Sequence, residues 1–429
     1  MTQTPAPPDV TSPENQTRVA AVVVLAAGGG TRMKSSTSKL LHRVAGHTML
    51  SYAVSAAEAL DPEHLVVVVG HAREQVLSHL TEIAPEVTTA VQEQQNGTGH
   101  AVQCGLADLG QLSGEVVVTY GDVPMLSGET LQALVDAHRA AASKITVLTA
   151  EVPDPTGYGR VIREGERVAR IVEQKDATPE EAAVTEINSG IYVFDAEVLA
   201  HGLQNLDTDN AQGELYLTDV ITIANGEGHK VGAHVIDDLW QTEGVNDRVQ
   251  LARMNAEMNR RIVEKWQRAG VTVLDPATTW IEREVDLAQD VTILPNTQLQ
   301  GATSVASGAT IGPDTTLRDV EVGEGATIIR THAELAVVGS GATVGPYAHL
   351  RPGAVVRAGA QATGFVAVRN ATVGTGSIVA PLSYVGVAVD DATTLQPGAI
   401  LIDSQTIHVN AQGPEATPSA STNNAEDNQ

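Results

Sequence analysis

From Ile281 onward one aliphatic residue returns at every sixth position. Ile281, Leu287, Ile293, Leu299, Val305, Ile311 and Leu317 keep that step. After a phase break it resumes at Val338, Val344, Leu350, Val356, Ala362 and Val368, then at Val373, Val379 and Val385, then at Val389, Leu395 and Leu401. Six is a multiple of two, so one face of long strands could show such spacing. Gly, Asp and Pro recur inside nearly every hexad, as in "GATIGPDTTL" and "VGPYAHLRPGAVV", and long strands do not tolerate them. A hexapeptide parallel β-helix does, with each hexad forming one flat side and its aliphatic residue pointing into a narrow shaft. Aromatic residues make up only 3% of the chain, which suits a shaft too thin for rings. At about eighteen residues per coil the region predicts roughly seven coils.

The chain ahead of this repeat has a different rhythm. Val-rich runs ending in glycine, "AAVVVLAAG", "HLVVVVGHA" and "EVVVTYGD", alternate with helix-spaced stretches such as "SYAVSAAEAL" and "ETLQALVDAHRAAA". That alternation predicts an α/β domain, a mostly parallel sheet with helices on both faces, over 19–245. Leu251, Met254, Met258, Ile262 and Trp266 then fall at three- and four-residue steps, one stripe of a linker helix over 246–270. The β-helix domain follows over 271–402. A Pro/Thr/Ser-rich leader over 1–18 and a low-complexity tail over 403–429 are expected to be disordered.

The net charge of −26 excludes a basic field for nucleic acid or an anionic membrane. The leader lacks the apolar run of a signal peptide, and no stretch reaches the roughly 20 apolar residues of a membrane span. One cysteine, Cys104, forms no internal disulfide and fits a reducing, cytoplasmic compartment. An anionic substrate must then be held by a few local cations or a metal.

Such cations follow the first strand. In "LAAGGGTRMKSSTSKLLHRVAG" a glycine-rich turn opens the backbone to a phosphate, and Arg32 and Lys39 stand close behind. The same stretch also reads as a plain turn and a solvated basic segment. "QEQQNGTGHAV" repeats the logic: Gln92 and Gln95 carry amides suited to a base edge, and Gly97, Thr98 and Gly99 open a helix. His100 reads as packing there rather than as a catalyst. Asp122 in "YGDVPML" ends a strand where open sheets bind ligands, as a Mg²⁺ ligand or a turn former.

In this order the segments resemble the sugar-phosphate nucleotidyltransferases, and most closely the bacterial bifunctional uridylyltransferase/acetyltransferase family that makes a cell-wall precursor. "GYGRVIR", "IVEQKDAT", "EINSGIYVF", "NAQGELYLTDVI" and "EGVNDRVQLA" extend the likeness, which spans about 20–385. It implies a Rossmann-like first domain transferring UMP from UTP to N-acetylglucosamine 1-phosphate. Leu25, Ala26, Ala27 and Gly28 line the nucleotide, with Gln92, Gly97 and Thr98 at the uracil. Arg32 and Lys39 meet the triphosphate, and Tyr120, Gly121 and Asp122 sit at the centre. Gly159, Glu173 and Asn188 hold the sugar; Asp122 and Asn246 bind Mg²⁺. It also implies a left-handed β-helix and a homotrimer held by residues 281–401.

Departures from the family qualify this. Ser38 stands where a proline usually precedes the loop lysine, which predicts a looser Lys39 loop, and Asn96 replaces a leucine. In the second domain Arg351 and Tyr384 of the acetyltransferase site remain. The histidine base of "HLTY" is Pro381, and "FVEVK" has become "FVAVR", leaving Ala367 and Arg369. The "NYDG" motif and the later coils that bind acetyl-CoA have no counterpart before the tail, and His408 lies past the position of the base. Acetylation of glucosamine 1-phosphate is therefore expected to be lost or strongly impaired, with acetyl-CoA a cofactor only if that domain is active. The alternatives are a fully bifunctional enzyme, a related transferase for another base or sugar, and a non-catalytic trimeric scaffold.

Overall fold

A computed structural model describes residues 18–402 and 405–408, and the chain divides into two compact units between Met258 and Asn259. Most of the expected leader and tail lies outside the described residues, with two corrections. Arg18 joins the first unit, its guanidinium bonding the Asp61 carboxylate at 2.6 Å and the Pro62 carbonyl at 3.1 Å. Residues 405–408 pair antiparallel with 399–402 instead of continuing structureless.

The first unit is built on a nine-stranded sheet. Strands run in the order 231–235, 145–151, 186–195, 115–120, 21–26, 64–69, 88–91. The Val-rich runs pair parallel at its centre, strand 21–26 between 64–69 and 115–120. Strand 186–195 runs antiparallel to both neighbours and also pairs, near Asn188, with a hairpin of 159–164 and 167–172. Strand 21–26 is buried throughout. Val22, Val24 and Ala26 feed one hydrophobic cluster, and Ala21, Val23 and Leu25 feed another. Helices therefore cover both faces, which is why the run is continuously apolar rather than alternating.

The long helix spans Arg248–Arg268, and the predicted stripe packs inward, Met254 and Trp266 buried and Leu251, Met258 and Ile262 partly so, with Asn259 and Val263 buried beside it. Leu251, Met254 and Met258 pack with Val44, Met49 and Tyr52 in the first unit. Ile262 and Trp266 join the shaft core in the second.

The second unit is a β-helix of two-residue rungs. One face carries eight parallel strands, from 272–273 to 394–395. Every hexad residue from Ile281 to Leu401 is buried in one continuous core, Leu395 only partly. The phase break is not a gap. Val322, Ile328 and Ala333 fill the shaft between Leu317 and Val338, and pairs such as Val305↔Val322 and Val322↔Val338 show coils of 17 and 16 residues there. Strands 315–322 and 331–338 run on through the shortened corner. Polar residues at other corners bond to nearby carbonyls, as Thr297 does to Leu294 and Thr303 to Gln300, each at 2.7 Å, so their burial leaves no orphaned hydroxyl. Among the described residues no helix is long and apolar enough to cross a membrane.

Candidate functional site

The C-terminal ends of the central strands frame two adjoining cavities, of about 280 and 450 Å³. They share Thr98, Tyr120, Asp122 and Glu214. Leu25, Ala26, Ala27, Gly28, Lys39, Gln92, Gly97 and Thr98 line the smaller one, so the first strand end and the two glycine turns come together there. Arg32, Gly159, Glu173, Asn188 and Asn246 line the larger. Gly121 lines neither. Its N–H donates to the Leu25 carbonyl at 3.0 Å, and a Cβ on it would meet Leu40 and Leu50 at 3.3–3.4 Å, so it lies beneath the floor.

The glycine turn serves the lysine directly. Gly30 has a left-handed backbone (φ 57°), and a Cβ on it would lie 2.7 Å from Lys39 Cβ, whereas Gly28 has open space around it. The Lys39 ammonium bonds the Asp122 carboxylate, and it lies 3.1 Å from Asn246 Oδ1. Asn246 reaches this point because Val245 N–H donates to the Asp122 carbonyl at 2.9 Å, pinning segment 244–246 beside strand 115–120. One cation thus contacts both oxygens assigned to a metal. Two oxygen ligands suit Mg²⁺, which keeps several waters and takes phosphate oxygens from its substrate. Among the described residues no group of three or more His, Cys, Asp or Glu is arranged for a metal.

The expected looseness of the Lys39 loop does not follow from Ser38. Its backbone keeps a proline-like φ of −50° and ψ of 138°, and its N–H, which proline lacks, donates to Gln75 Oε1 at 3.0 Å. Gln75 Nε2 in turn donates to the Ser36 carbonyl at 3.0 Å. A side-chain clamp stands where the ring would.

Gln92 is buried, and its amide donates to the Gly97 carbonyl at 3.0 Å and meets His100 Nδ1 at 3.1 Å. His100 thus holds the orientation of that amide. Gln95 is exposed at the rim of the smaller cavity, and its amide nitrogen donates to the Ala27 carbonyl at 2.5 Å. In the larger cavity Asn188 donates to the Tyr192 hydroxyl at 2.7 Å and accepts from Gly190 N–H at 2.9 Å, which fixes its orientation. Burial raises the Glu173 carboxyl above the ordinary range, and the neighbouring Asp176 and Asp219 raise it further; a bond with Thr218 opposes them. The Tyr120 phenol is raised too, by burial first and then by the Glu173 and Asp122 carboxylates.

Gln212, Glu214, Tyr216 and Thr218 also line the larger cavity and were not singled out by residue. Their period-two spacing inside "NAQGELYLTDVI" is the signal that could have found them, although the segment reaches the cavity through turns rather than as a strand.

On the β-helix, register aligns His332, His349, Ala367 and Tyr384 in one column of a single face. Arg351 and Arg369 flank it on successive coils. Pro381 is exposed at a corner. The His332 and His349 rings lie edge to face at 5.5 Å, and burial, then His332 and Arg351, hold the His349 imidazole below its ordinary value. This imidazole pair was not anticipated; its signal was two outward histidines 17 residues apart, one coil on.

A family profile described as nucleotidyl transferase matches residues 21–255, a range that contains every first-unit site residue. Among curated proteins the chain is similar to "Bifunctional protein GlmU" of Cutibacterium acnes, 61% identical over 375 residues, 86% of this chain and 90% of that one. It is 54% identical over 376 residues to the protein of that name in Rhodococcus opacus, 85% of this chain and 75% of that one. With that of Corynebacterium aurimucosum it shares 51% identity over 389 residues, 89% of this chain and 80% of that one.

Proposed function

The chain belongs to the nucleotidyl transferase family and to the bifunctional GlmU proteins, and from that premise we propose that its first unit transfers UMP from UTP to N-acetylglucosamine 1-phosphate. The observation that carries this reading is the pair of adjoining cavities with Lys39, Asp122 and Tyr120 at and beside their junction. UTP takes the smaller cavity and the N-acetylated sugar phosphate the larger. The two phosphates then meet at the shared wall, where a sugar-phosphate oxygen attacks the α-phosphate in line and pyrophosphate leaves. Such a step needs placement and charge neutralisation, not a covalent nucleophile. Arg32 and Lys39 neutralise phosphate oxygens, Gln92 reads the base edge, and Glu173 and Asn188 hold sugar hydroxyl and acetamido groups. Asp122 and Asn246 hold Mg²⁺, which supplies further neutralisation of phosphate charge.

For the second unit the same reading is that acetyl transfer is lost or strongly impaired, although the relatives are named bifunctional. The amine of glucosamine 1-phosphate must shed a proton to attack a thioester, and a positioned base contributes about 10²–10⁴-fold. Pro381 has no basic atom and no N–H. A homotrimer is part of the proposal. Its candidate contact is the corner where Tyr347, Phe365 and Leu382 stand exposed on successive coils, the first two rings stacked at 4.7 Å. A cytoplasmic setting completes it.

One experiment tests both activities. Pyrophosphate release is measured with UTP and N-acetylglucosamine 1-phosphate, with Mg²⁺ and with chelator, against other nucleoside triphosphates. Thiol release from acetyl-CoA is followed alongside with glucosamine 1-phosphate. Mg²⁺-dependent, UTP-selective pyrophosphate release without thiol release is expected. Thiol release that His349→Gln abolishes would mean that this imidazole replaces the lost base, and the second half of the reading fails.

A further inference from the structure

One wall of the larger cavity is organised around a buried cation whose hydrogen bonds go to neutral acceptors. Arg160 is 2% exposed. Its Nε donates to the Ala182 carbonyl at 3.3 Å, one terminal nitrogen to the Tyr158 carbonyl, and the other to Gln174 Oε1 at 2.8 Å. That same oxygen accepts the Gly157 N–H at 2.9 Å. One guanidinium therefore gathers three segments: the turn ahead of strand 159–164, the turn after strand 167–172, and the short helix Pro179–Ala182. Gly157, Tyr158 and Gly159 from the first and Glu173 from the second line the cavity. Burying a charge among neutral acceptors is costly, and an apolar side chain would fill the space more cheaply if packing were the only need. What the planar fork adds is donors on three separate nitrogens fixed in one plane, a spread that the compact ammonium, with all its donors on one atom, cannot copy.

We propose that Arg160, acting through Gln174, is the positioning residue for the sugar 1-phosphate half of the reaction. It sets the gap between the Gly157–Gly159 backbone and Glu173, and so the fit of an N-acylated hexose 1-phosphate, without touching that substrate. The proposal rests on the reading of this cavity as the sugar site. Its selectivity follows from the architecture, because the smaller cavity is walled by other segments, 25–28 and 92–98.

The test uses the full chain and varies UTP and N-acetylglucosamine 1-phosphate separately. Gln174→Leu removes the acceptor shared by Arg160 and Gly157 at nearly constant size. Gln174→Glu keeps it. The leucine variant should raise KM for the sugar phosphate about tenfold, leaving kcat and KM for UTP within about twofold, and the glutamate variant should recover most of the loss. Arg160→Lys should behave like the leucine variant, and because a core arginine variant can fail to fold, the Gln174 pair carries the decision, with melting curves to confirm folding. An unchanged sugar-phosphate KM in Gln174→Leu overturns the proposal, as does an equal rise in both KM values or a fall in Tm with no kinetic split. A wild type with no uridylyl transfer overturns the site reading and this proposal together, a result distinct from an active wild type whose variants keep its KM.

Discussion

Replacing Lys39 with methionine should weaken the protein and strengthen its grip on a divalent cation at once. The Lys39 and Asp122 side chains are only 11% and 16% exposed, and the ammonium bonds both Asp122 and Asn246. Removing one partner of a fully buried pair costs about 3–5 kcal/mol, against about 0.2–1 for an exposed one. Between these limits, Lys39→Met should cost roughly 2–3 kcal/mol, or about 5–10 °C in Tm for a unit of this size. The same bond is what a cation must displace to reach Asp122 and Asn246. Its full loss corresponds to about 30–150-fold in affinity, and since a freed ammonium regains water, at least about tenfold should remain. Mn²⁺ serves as the probe, because it takes the same oxygen ligands as Mg²⁺ and is read directly by electron paramagnetic resonance. Titration of the nucleotide-free proteins should show tighter Mn²⁺ binding by the variant, and added Mg²⁺ should raise the variant's Tm more than the wild type's. Turnover should still fall, since the phosphates lose a cation. Equal or weaker Mn²⁺ binding by Lys39→Met would show that the ammonium does not compete for these oxygens.

Three further outcomes follow from other parts of the molecule. Because the folded Glu173 carboxyl is raised, its favourable contribution is complete below the unfolded value and is lost as pH rises through the folded one. Glu173→Gln should therefore melt higher than wild type at neutral pH, with the gap closing in acid, while KM for the sugar phosphate rises; equal melting at both pH values would refute this. Gln75→Ala should destabilise the Lys39 loop, and Ser38→Pro should change sign with background. It should harm the wild type by removing the bond to Gln75 and help Gln75→Ala by about 0.4–1 kcal/mol, since the backbone already fits proline; a double-mutant cycle with no coupling contradicts the clamp. Phe365→Glu places a charge on a ring 61% exposed in the stacked corner. Light scattering should then shift from three times 44.8 kDa toward a single chain, and an unchanged mass moves the contact elsewhere.

The second unit was legible because a hexad repeat is a local pattern. Each aliphatic residue names its own place in the shaft, and all but Leu395 of those read from sequence are fully buried. The phase break was legible as an irregularity only. That Val322, Ile328 and Ala333 continue the core through coils of 16 and 17 residues depends on how a strand turns a corner, which spacing does not encode. In the first unit the glycine turn and Lys39 lie within one stretch, so their proximity could be read directly, whereas Arg32 of the same stretch lines the other cavity. Gln212 to Thr218 were quoted as a motif, but their individual roles needed the cavity to be visible.

The sequence by itself determined which faces are apolar, where strands end, and which short segments set glycine turns beside cations, because each of these is written in neighbouring residues. The tertiary structure alone decided who meets whom. Lys39 lies 83 residues from Asp122 and 207 from Asn246, Ser38 lies 37 from Gln75, and Arg160 lies 22 from the Ala182 carbonyl it holds. The physical reason is that periodicity specifies the side of an element a residue occupies. Strand order and register specify the neighbour, and those are set by the packing of the whole sheet rather than by any one stretch of chain.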